Sequence, residues 1–396
     1  MNASSMQRPP IIIIGAGVAG LTLAQGLRLR SIPFRLFERH PKSHSSQGHR
    51  FRVSKEGQEA LSTVLSSELK NIFASTAPGV PRIEPRYVDT RNLDFSRPKP
   101  VDPVSIPMDR TWFRMLFTLD IEDAIEYGKE FKSFTTIDQH IQVHIKDGSH
   151  VIGRLLVGAD GIKSHVRRQL QPERKFLDLD RWVLWGRTPM TESLKEYLSQ
   201  DLLSWCMYLD NDANVQAIVE PMYWPISLAH KSQLRLPEFQ DYLYWVICTA
   251  KGQFSAELPK TTEEKQRYLM DATKAWHPTL KALFSSASHE RSACVWVLSS
   301  IPDIEICSGI GTKSVVLIGD AAHPMSPMGG SGADTAIRTA ADLAETIAEQ
   351  GITPEKIVDF ERRMAILAKE KIEHSFSGGK KFWKGTEWNE YREMNI

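Results

Sequence analysis

The chain of 396 residues holds only four cysteines, Cys206, Cys248, Cys294 and Cys307, with neither a Cys-x-x-Cys pair nor the spacing of a metal site. A disulfide framework is thereby excluded as the source of stability. The thiols read as buried, reduced groups of an intracellular protein, and no metal is expected. Charge of one sign is also missing, since 49 Lys and Arg face 48 Asp and Glu for a formal charge of +1. That balance gives no dedicated nucleic-acid surface and no polybasic membrane anchor. Long hydrophobic runs are absent as well. The most apolar stretch, 11–27, is broken by Gly15, Gly17, Gly20 and Gly26 and by Thr22 and Gln25, so neither a membrane span nor a secretory signal is expected. A cytoplasmic location is the default. Internal repeats and low-complexity tracts are lacking too.

What is present is a globular composition, 41% hydrophobic and 24% charged, at a length suited to two or three domains. Ile11–Ile14 is a β-branched run followed at once by Gly15-Ala-Gly17-Val-Ala-Gly20, and 21–29 has helical periodicity. Phe34–Phe37 then ends in Glu38, which completes a βαβ opening. The middle reads differently: 181–188, 202–209, 215–219 and 242–249 are strand-like, rich in Trp, Tyr and Val, and predict an antiparallel sheet. Residues 313–318 form another buried-strand run, with helices expected over 334–349 and 359–373. The proline-rich stretch 82–103 is the expected domain crossing.

The Gly15-x-Gly17-x-x-Gly20 spacing between strand and helix carries chemistry. Gly15 permits the tight turn, Gly17 lets the backbone approach a pyrophosphate, and Gly20 lets helix and strand pack. Glu38, 18 residues after Gly20, is placed for the ribose hydroxyls of an adenosine and would repel a 2′-phosphate. Two further strings follow strand-like runs: Val157-Gly-Ala-Asp160-Gly161-Ile-Lys-Ser164-His-Val-Arg167, and Gly319-Asp320-Ala-Ala-His323-Pro-Met-Ser-Pro327-Met-Gly-Gly-Ser331-Gly332-Ala333-Asp334.

In these three ordered motifs the chain resembles the single-component FAD-dependent aromatic hydroxylases typified by para-hydroxybenzoate hydroxylase, over roughly 11–349. The resemblance implies an α/β fold: a Rossmann-like FAD-binding domain with an inserted, mostly antiparallel β-sheet substrate domain and C-terminal helices. The implied division is 1–80 for the first part of the FAD domain, 81–102 for the crossing, 103–180 for its second part, 181–290 for the substrate domain, 291–350 for the third part and 351–396 for a C-terminal helical segment. Gly15, Gly17, Gly20 and Glu38 would hold the ADP half of FAD. Asp320 would bond the ribityl chain or ribose, and Gly332 and Ala333 would offer backbone N–H groups to the flavin at a helix start. Asp160, Gly161 and Arg167 would serve FAD and the nicotinamide cofactor, Arg110 would contact FAD, and Arg50 would lie near the pyrophosphate. Arg52 would face ring and substrate, Pro327 would position backbone at the face where oxygen reacts, and His323 reads as a packed structural histidine rather than a base.

Asp334 departs from the family's asparagine. Ser331-x-x-Asp334 reads as a capping box; a carboxylate aimed at the flavin would instead oppose its anionic reduced form. For the substrate, Trp185, Trp205, Tyr208, Tyr223, Trp224 and Trp245 are core or pocket aromatics, and Arg187 is a candidate for a carboxylate or phenolate. The implied activity is monooxygenation of a hydrophobic aromatic, polyketide or indole-type metabolite through a flavin C4a-hydroperoxide, with NADPH or NADH as transient reductant, O2 as co-substrate and a monomer or homodimer as the unit. An FAD-dependent reductase without oxygenation and a non-enzymatic FAD-binding protein are the alternatives, both favoured by a flavin-facing Asp334. A flavin-dependent halogenase is not, because Tyr223-Trp224-Pro225-Ile226 does not supply the WxWxIP signature.

Overall fold

The computed structural model describes residues 8–44, 50–79, 86–96, 105–306 and 314–396. Strand β1 (Ile11–Ile14), helix α1 (Val18–Leu29) and strand β2 (Phe34–Glu38) form the expected βαβ unit. All four β1 isoleucines are buried, as a strand covered on both faces of a parallel sheet requires. Strand β3 (Arg50–Val53) leads into α2 (Lys55–Val64) and α3 (Ser67–Thr76), whose starts are capped by the Ser54 and Ser66 hydroxyls. After β4 (Arg86–Asp89) and β5 (Phe95–Ser96), strand β6 (Ile106–Asp109) pairs with β3 and runs directly into α4 (Arg110–Thr118).

Strand β7 (Ile125–Tyr127) completes one edge of the parallel sheet. A three-stranded antiparallel sheet follows, of β8 (Phe131–Ile137), β9 (His140–Ile145) and β10 (His150–Gly153), which the sequence reading did not anticipate. Strand β11 (Leu155–Gly158) then returns to the parallel sheet beside β1 and is followed by α5 (His165–Leu170).

The large sheet is built from β12 (Phe176–Pro189), β13 (Cys206–Asp210), β14 (Val215–Met222), β15 (Tyr242–Ala250) and β16 (Ser288–Ser299), with β4 and β5 at one edge. Short helices α6 (Glu192–Tyr197) and α7 (Leu228–Lys231) and the longer α8 (Thr262–Ala272) and α9 (Pro278–Ser285) connect its strands. Strand β17 (Val315–Leu317) gives the parallel sheet its order β17-β11-β1-β2-β7 and leads toward α10 (Gly332–Gln350) and α11 (Pro354–Trp383), before β18 (Arg392–Met394) pairs with β12.

The fold is therefore the expected α/β arrangement with an inserted antiparallel sheet, but the sheet is larger than the 181–290 segment assigned to it. It begins at Phe176 and ends at Ser299, and the 351–396 segment is not wholly helical because β18 adds a strand to it. Within the expected crossing, 86–96 contributes β4 and β5 to the sheet, while 81–85 and 97–102 lie outside the described residues. So do Cys307 and Lys313. The remaining three cysteines are free and buried, as expected.

Alternation along the strands gives the large sheet two apolar faces. Val183 and Trp185 of β12, Ile218 and Met222 of β14, and Tyr242, Tyr244, Val246 and Cys248 of β15 pack toward the parallel-sheet core. Leu184, Val219, Leu243, Trp245 and Ile247 point the other way and bury α8 and α9 in a second core.

Candidate functional site

At the carboxyl ends of β1 and β2 a cleft of about 330 Å³ is lined by Ala16, Gly17, Val18, Glu38, His40 and Arg110, among others. The three glycines around it have distinct constraints. Gly15 has φ of +106°, and a Cβ there would lie 2.5 Å from the Ala159 carbonyl oxygen. A Cβ on Gly20 would lie 2.0 Å from the Gly15 carbonyl oxygen. Gly17 has no atom within 4 Å of its Cβ position, so its exposed backbone is what a ligand can approach. The Glu38 carboxylate accepts the N–H of Ala16 and of His40, each at 2.9 Å. One oxygen takes each bond, which leaves lone pairs on both for hydroxyl groups.

Arg110 opens α4, with its guanidinium 6.0 Å over the Phe51 ring. No carboxylate among the described residues pairs with it. Its charge reaches Asp320, whose pKa is raised by desolvation and partly restored by Arg110. Asp320 nevertheless keeps an exposed surface. At the start of α10 no side chain caps the helix. The first backbone N–H groups, those of Gly332 and Ala333 included, therefore have no partner within the helix and carry its positive end. Pro327 opens a tight 3-10 turn just ahead of that start.

Other candidates have protein partners. Asp160 accepts the N–H of His165 at 2.7 Å and the Ser164 hydroxyl, which fixes the start of α5, while Gly161 makes the adjoining turn at φ of +79°. Arg167 is buried, donates to the carbonyls of Ile162 at 2.6 Å and Ile396 at 2.9 Å, and stacks over Phe176. Burial lowers its pKa to about 10. Arg167 is thus a strut under the Asp160-Gly161 turn. His323 is fully buried against Thr339, and desolvation lowers its pKa to about 4, which fits the packed-histidine reading.

Arg50 and Arg52 point to the large sheet. Both pair with the buried Glu220 of β14. Arg50 also lies 5.2 Å over the Tyr244 ring, and Arg52 donates to the Ser105 hydroxyl at 2.9 Å. Burial pushes the Arg50 pKa down to about 9. Arg50, expected near a pyrophosphate, here has its charge paired with Glu220, and alternation on β3 puts both arginines on the side facing β14. Gly48 and His49 of the same motif lie outside the described residues.

The capping box at Ser331-x-x-Asp334 is not formed. Instead the buried Asp334 carboxylate accepts the N–H of Ser54, the cap of α2, at 2.8 Å. A Cβ on Gly57 would lie 2.1 Å from the same oxygen, so a glycine there makes room for the carboxylate. The carboxylate thus serves a neighbouring helix start rather than its own. The physical reason is tertiary: α10 packs its start against α2, and the nearest unsatisfied N–H belongs to that neighbour.

The aromatic candidates divide by face. Trp245 and Tyr208 are core: the Trp245 Nε1 donates to Thr188, and Tyr208 packs edge-on against Trp276. Tyr223 joins that second core, and Trp205 is half-buried beside Arg86. Trp185 and Trp224 lie on the side of the first core. Sequence reasoning missed Glu220, Asp109, Tyr242, Tyr244 and Arg291 on that side. The Asp109 carboxylate caps α4 and accepts the Tyr242 hydroxyl at 2.6 Å. A cap residue just before Arg110, and the alternation of 242–248, were the available signals.

Comparison with known proteins agrees with this layout. The FAD binding domain family matches residues 303–355. The dual O-methyltransferase/FAD-dependent monooxygenase CTB3 of Cercospora beticola is 32% identical over 96% of this chain and 47% of its own length, so the chain spans about half of that relative. The FAD-dependent monooxygenase thnD of Trichoderma harzianum is 26% identical over 85% of the chain and 82% of its own length. Among solved structures, Klebsiella pneumoniae HpxO complexed with FAD and uric acid superposes with a TM-score of 0.73 at 16% identity, covering 94% of this chain and 89% of that one.

Proposed function

We propose that the chain is a flavoprotein monooxygenase of the para-hydroxybenzoate hydroxylase-like family, similar to the relatives above, and that it uses NADPH or NADH and O2 to oxygenate a hydrophobic aromatic, polyketide or indole-type small molecule. The observation that carries the cofactor assignment is the cleft at Gly17. Its backbone is open, its flanking glycines are sterically required, and an uncompensated Arg110 lines the same space. An anionic dinucleotide fits that chemistry.

In this reading Gly17 and the start of α1 receive the pyrophosphate, and Arg110 balances its charge. Glu38 accepts the adenosine ribose hydroxyls, and Asp320 accepts hydroxyls of the ribityl chain. The N–H groups of Gly332 and Ala333 at the head of α10 stabilise negative charge on the flavin. Bound FAD supplies electron storage and O2 activation, which no side chain here provides. Pro327 restricts the backbone ahead of α10 and forms a wall of the reacting face. Asp160, Gly161 and Arg167 support the cofactor indirectly by holding the turn after β11. Arg187 meets the substrate, and Arg52 acts through Glu220 to fix β3 against the large sheet. No observation favours the reductase alternative, since the Asp334 carboxylate is occupied by Ser54.

The experiment is an FAD titration of Arg110→Met against the unaltered protein, with circular dichroism to establish folding. Losing a charge-assisted contact worth roughly 1.5–3 kcal/mol weakens FAD binding by about 10- to 150-fold. Unchanged affinity in a folded variant refutes the assignment. NADPH-dependent O2 consumption giving a substrate product that carries one oxygen-18 atom from labelled O2 supports the activity, and reduction without incorporation refutes it.

A further inference from the structure

We propose that Arg187 and Arg291 form an anchoring site for an anionic group of the substrate, a carboxylate or an ionised phenol or enol. This rests on the monooxygenase reading above and adds the charge that its substrate carries.

Arg187 follows Trp185 by two residues on β12 and so shares its face toward the first core. Its guanidinium lies 5.6 Å over the Tyr242 ring and has no hydrogen bond or ion pair among the described residues. Arg291 reaches the same region because β16 is irregular. The register passes from Trp185 opposite Ala293 to Arg187 opposite Ser288, so β16 carries extra residues against β12. Such bulges re-aim side chains. Here the Arg291 Nη2 donates to the Thr111 hydroxyl at 2.5 Å, while its Nε is buried without a partner.

The nearby Asp109 carboxylate attracts Arg291 but forms no ion pair with either arginine among the described residues. Asp109 spends Oδ1 on the N–H groups of Thr111 and Trp112, at 2.7 and 2.8 Å, and Oδ2 on the Tyr242 hydroxyl. Burial, and then the charge of Arg187, push the Arg291 pKa down, so the two cations oppose one another. Half-buried guanidinium groups without an ion-pair partner are costly, and their planar donor forks match an oxyanion. The location suits a substrate: Arg110 lines the cofactor cleft and Thr111, the next residue, touches Arg291. One helix start thus joins the two sites.

The test is calorimetric titration of the purified protein, with and without added FAD, using 2-naphthoate and its neutral isostere 2-naphthamide. The acid is expected to bind at least about ten-fold more tightly than the amide. Arg187→Met and Arg291→Met should each remove most of that preference while leaving amide binding unchanged. Arg187→Gln and Arg291→Gln provide polar variants should the methionine forms fail to fold. Equal binding of acid and amide, binding of neither, or a preference that survives both substitutions overturns the proposal. Failure to bind FAD with the acid preference intact counts against the monooxygenase reading alone.

Discussion

Replacing Asp334 by Asn and by Ala separates a carboxylate that builds the site from one that tunes the flavin. Asp334 Oδ1 accepts the Ser54 N–H at 2.8 Å, where Ser54 ends β3 and caps α2. Asn keeps that acceptor and loses only the assistance of charge, so its cost should stay within about 1 kcal/mol. Ala leaves the Ser54 N–H without its partner, a penalty of roughly 1–3 kcal/mol. It also releases α2 and β3 from the head of α10, which should weaken FAD binding as well as lower the melting temperature. Thermal unfolding followed by circular dichroism, an FAD fluorescence titration and the flavin reduction potential are the three readouts. The expected pattern is a near-silent Asn variant and an Ala variant impaired in stability and affinity together. A raised reduction potential in the Asn variant, with stability unchanged, would refute the argument and place the carboxylate beside the ring.

Gly57 supplies the cross-check. An added Cβ there meets Asp334 Oδ1 at 2.1 Å and Val53 Cγ1 at 2.6 Å, so Gly57→Ala should destabilise the protein by about 1–3 kcal/mol through overpacking. Part of that clash disappears when Asp334 is already Ala. The double variant should therefore be more stable than the sum of the two single effects, with a coupling of at least about 0.5 kcal/mol. Strict additivity would mean that the two side chains do not meet.

Four other substitutions test other parts of the structure. Gly17→Ala should fold normally and bind FAD poorly because its methyl occupies only ligand space, whereas Gly20→Ala should unfold at lower temperature from its clash with the Gly15 carbonyl; equal stability of the two, measured by thermal unfolding, contradicts this. His323 has a folded pKa of about 4 against an ordinary 6.5, so the unfolded chain binds more protons between those values and stability must fall as pH drops through that window. The total is about 3 kcal/mol, and urea midpoints of His323→Asn should show a shallower loss over that range; an unchanged pH slope refutes it. Glu220→Gln leaves Arg50 and Arg52 without their shared counter-charge and should cost about 3–5 kcal/mol in urea unfolding, while a shift below about 1 kcal/mol would show that the triad is not buried as described.

Local chemistry and tertiary chemistry were unequally legible in the chain. The glycine turn was readable because its constraint lies within a few residues: Gly15, Gly20 and the strand before them set one another's spacing. The strands of the large sheet were readable from their aromatic and β-branched runs, yet their ends were not, because β16 extends to Ser299 by pairing with β12. Partners were least legible where they came from afar in the sequence. Arg50 and Arg52 look like free cations until β14 brings Glu220 to them, and Asp334 looks like its own helix's cap until α2 offers Ser54. In each case the sequence identified a charged group needing compensation, and the fold chose the compensator. The same test distinguishes the arginines functionally. Those given a protein partner, Arg50, Arg52 and Arg167, hold elements together. Arg110 and Arg187, which form no ion pair with a described carboxylate, are the two proposed above to meet an anionic cofactor and an anionic substrate.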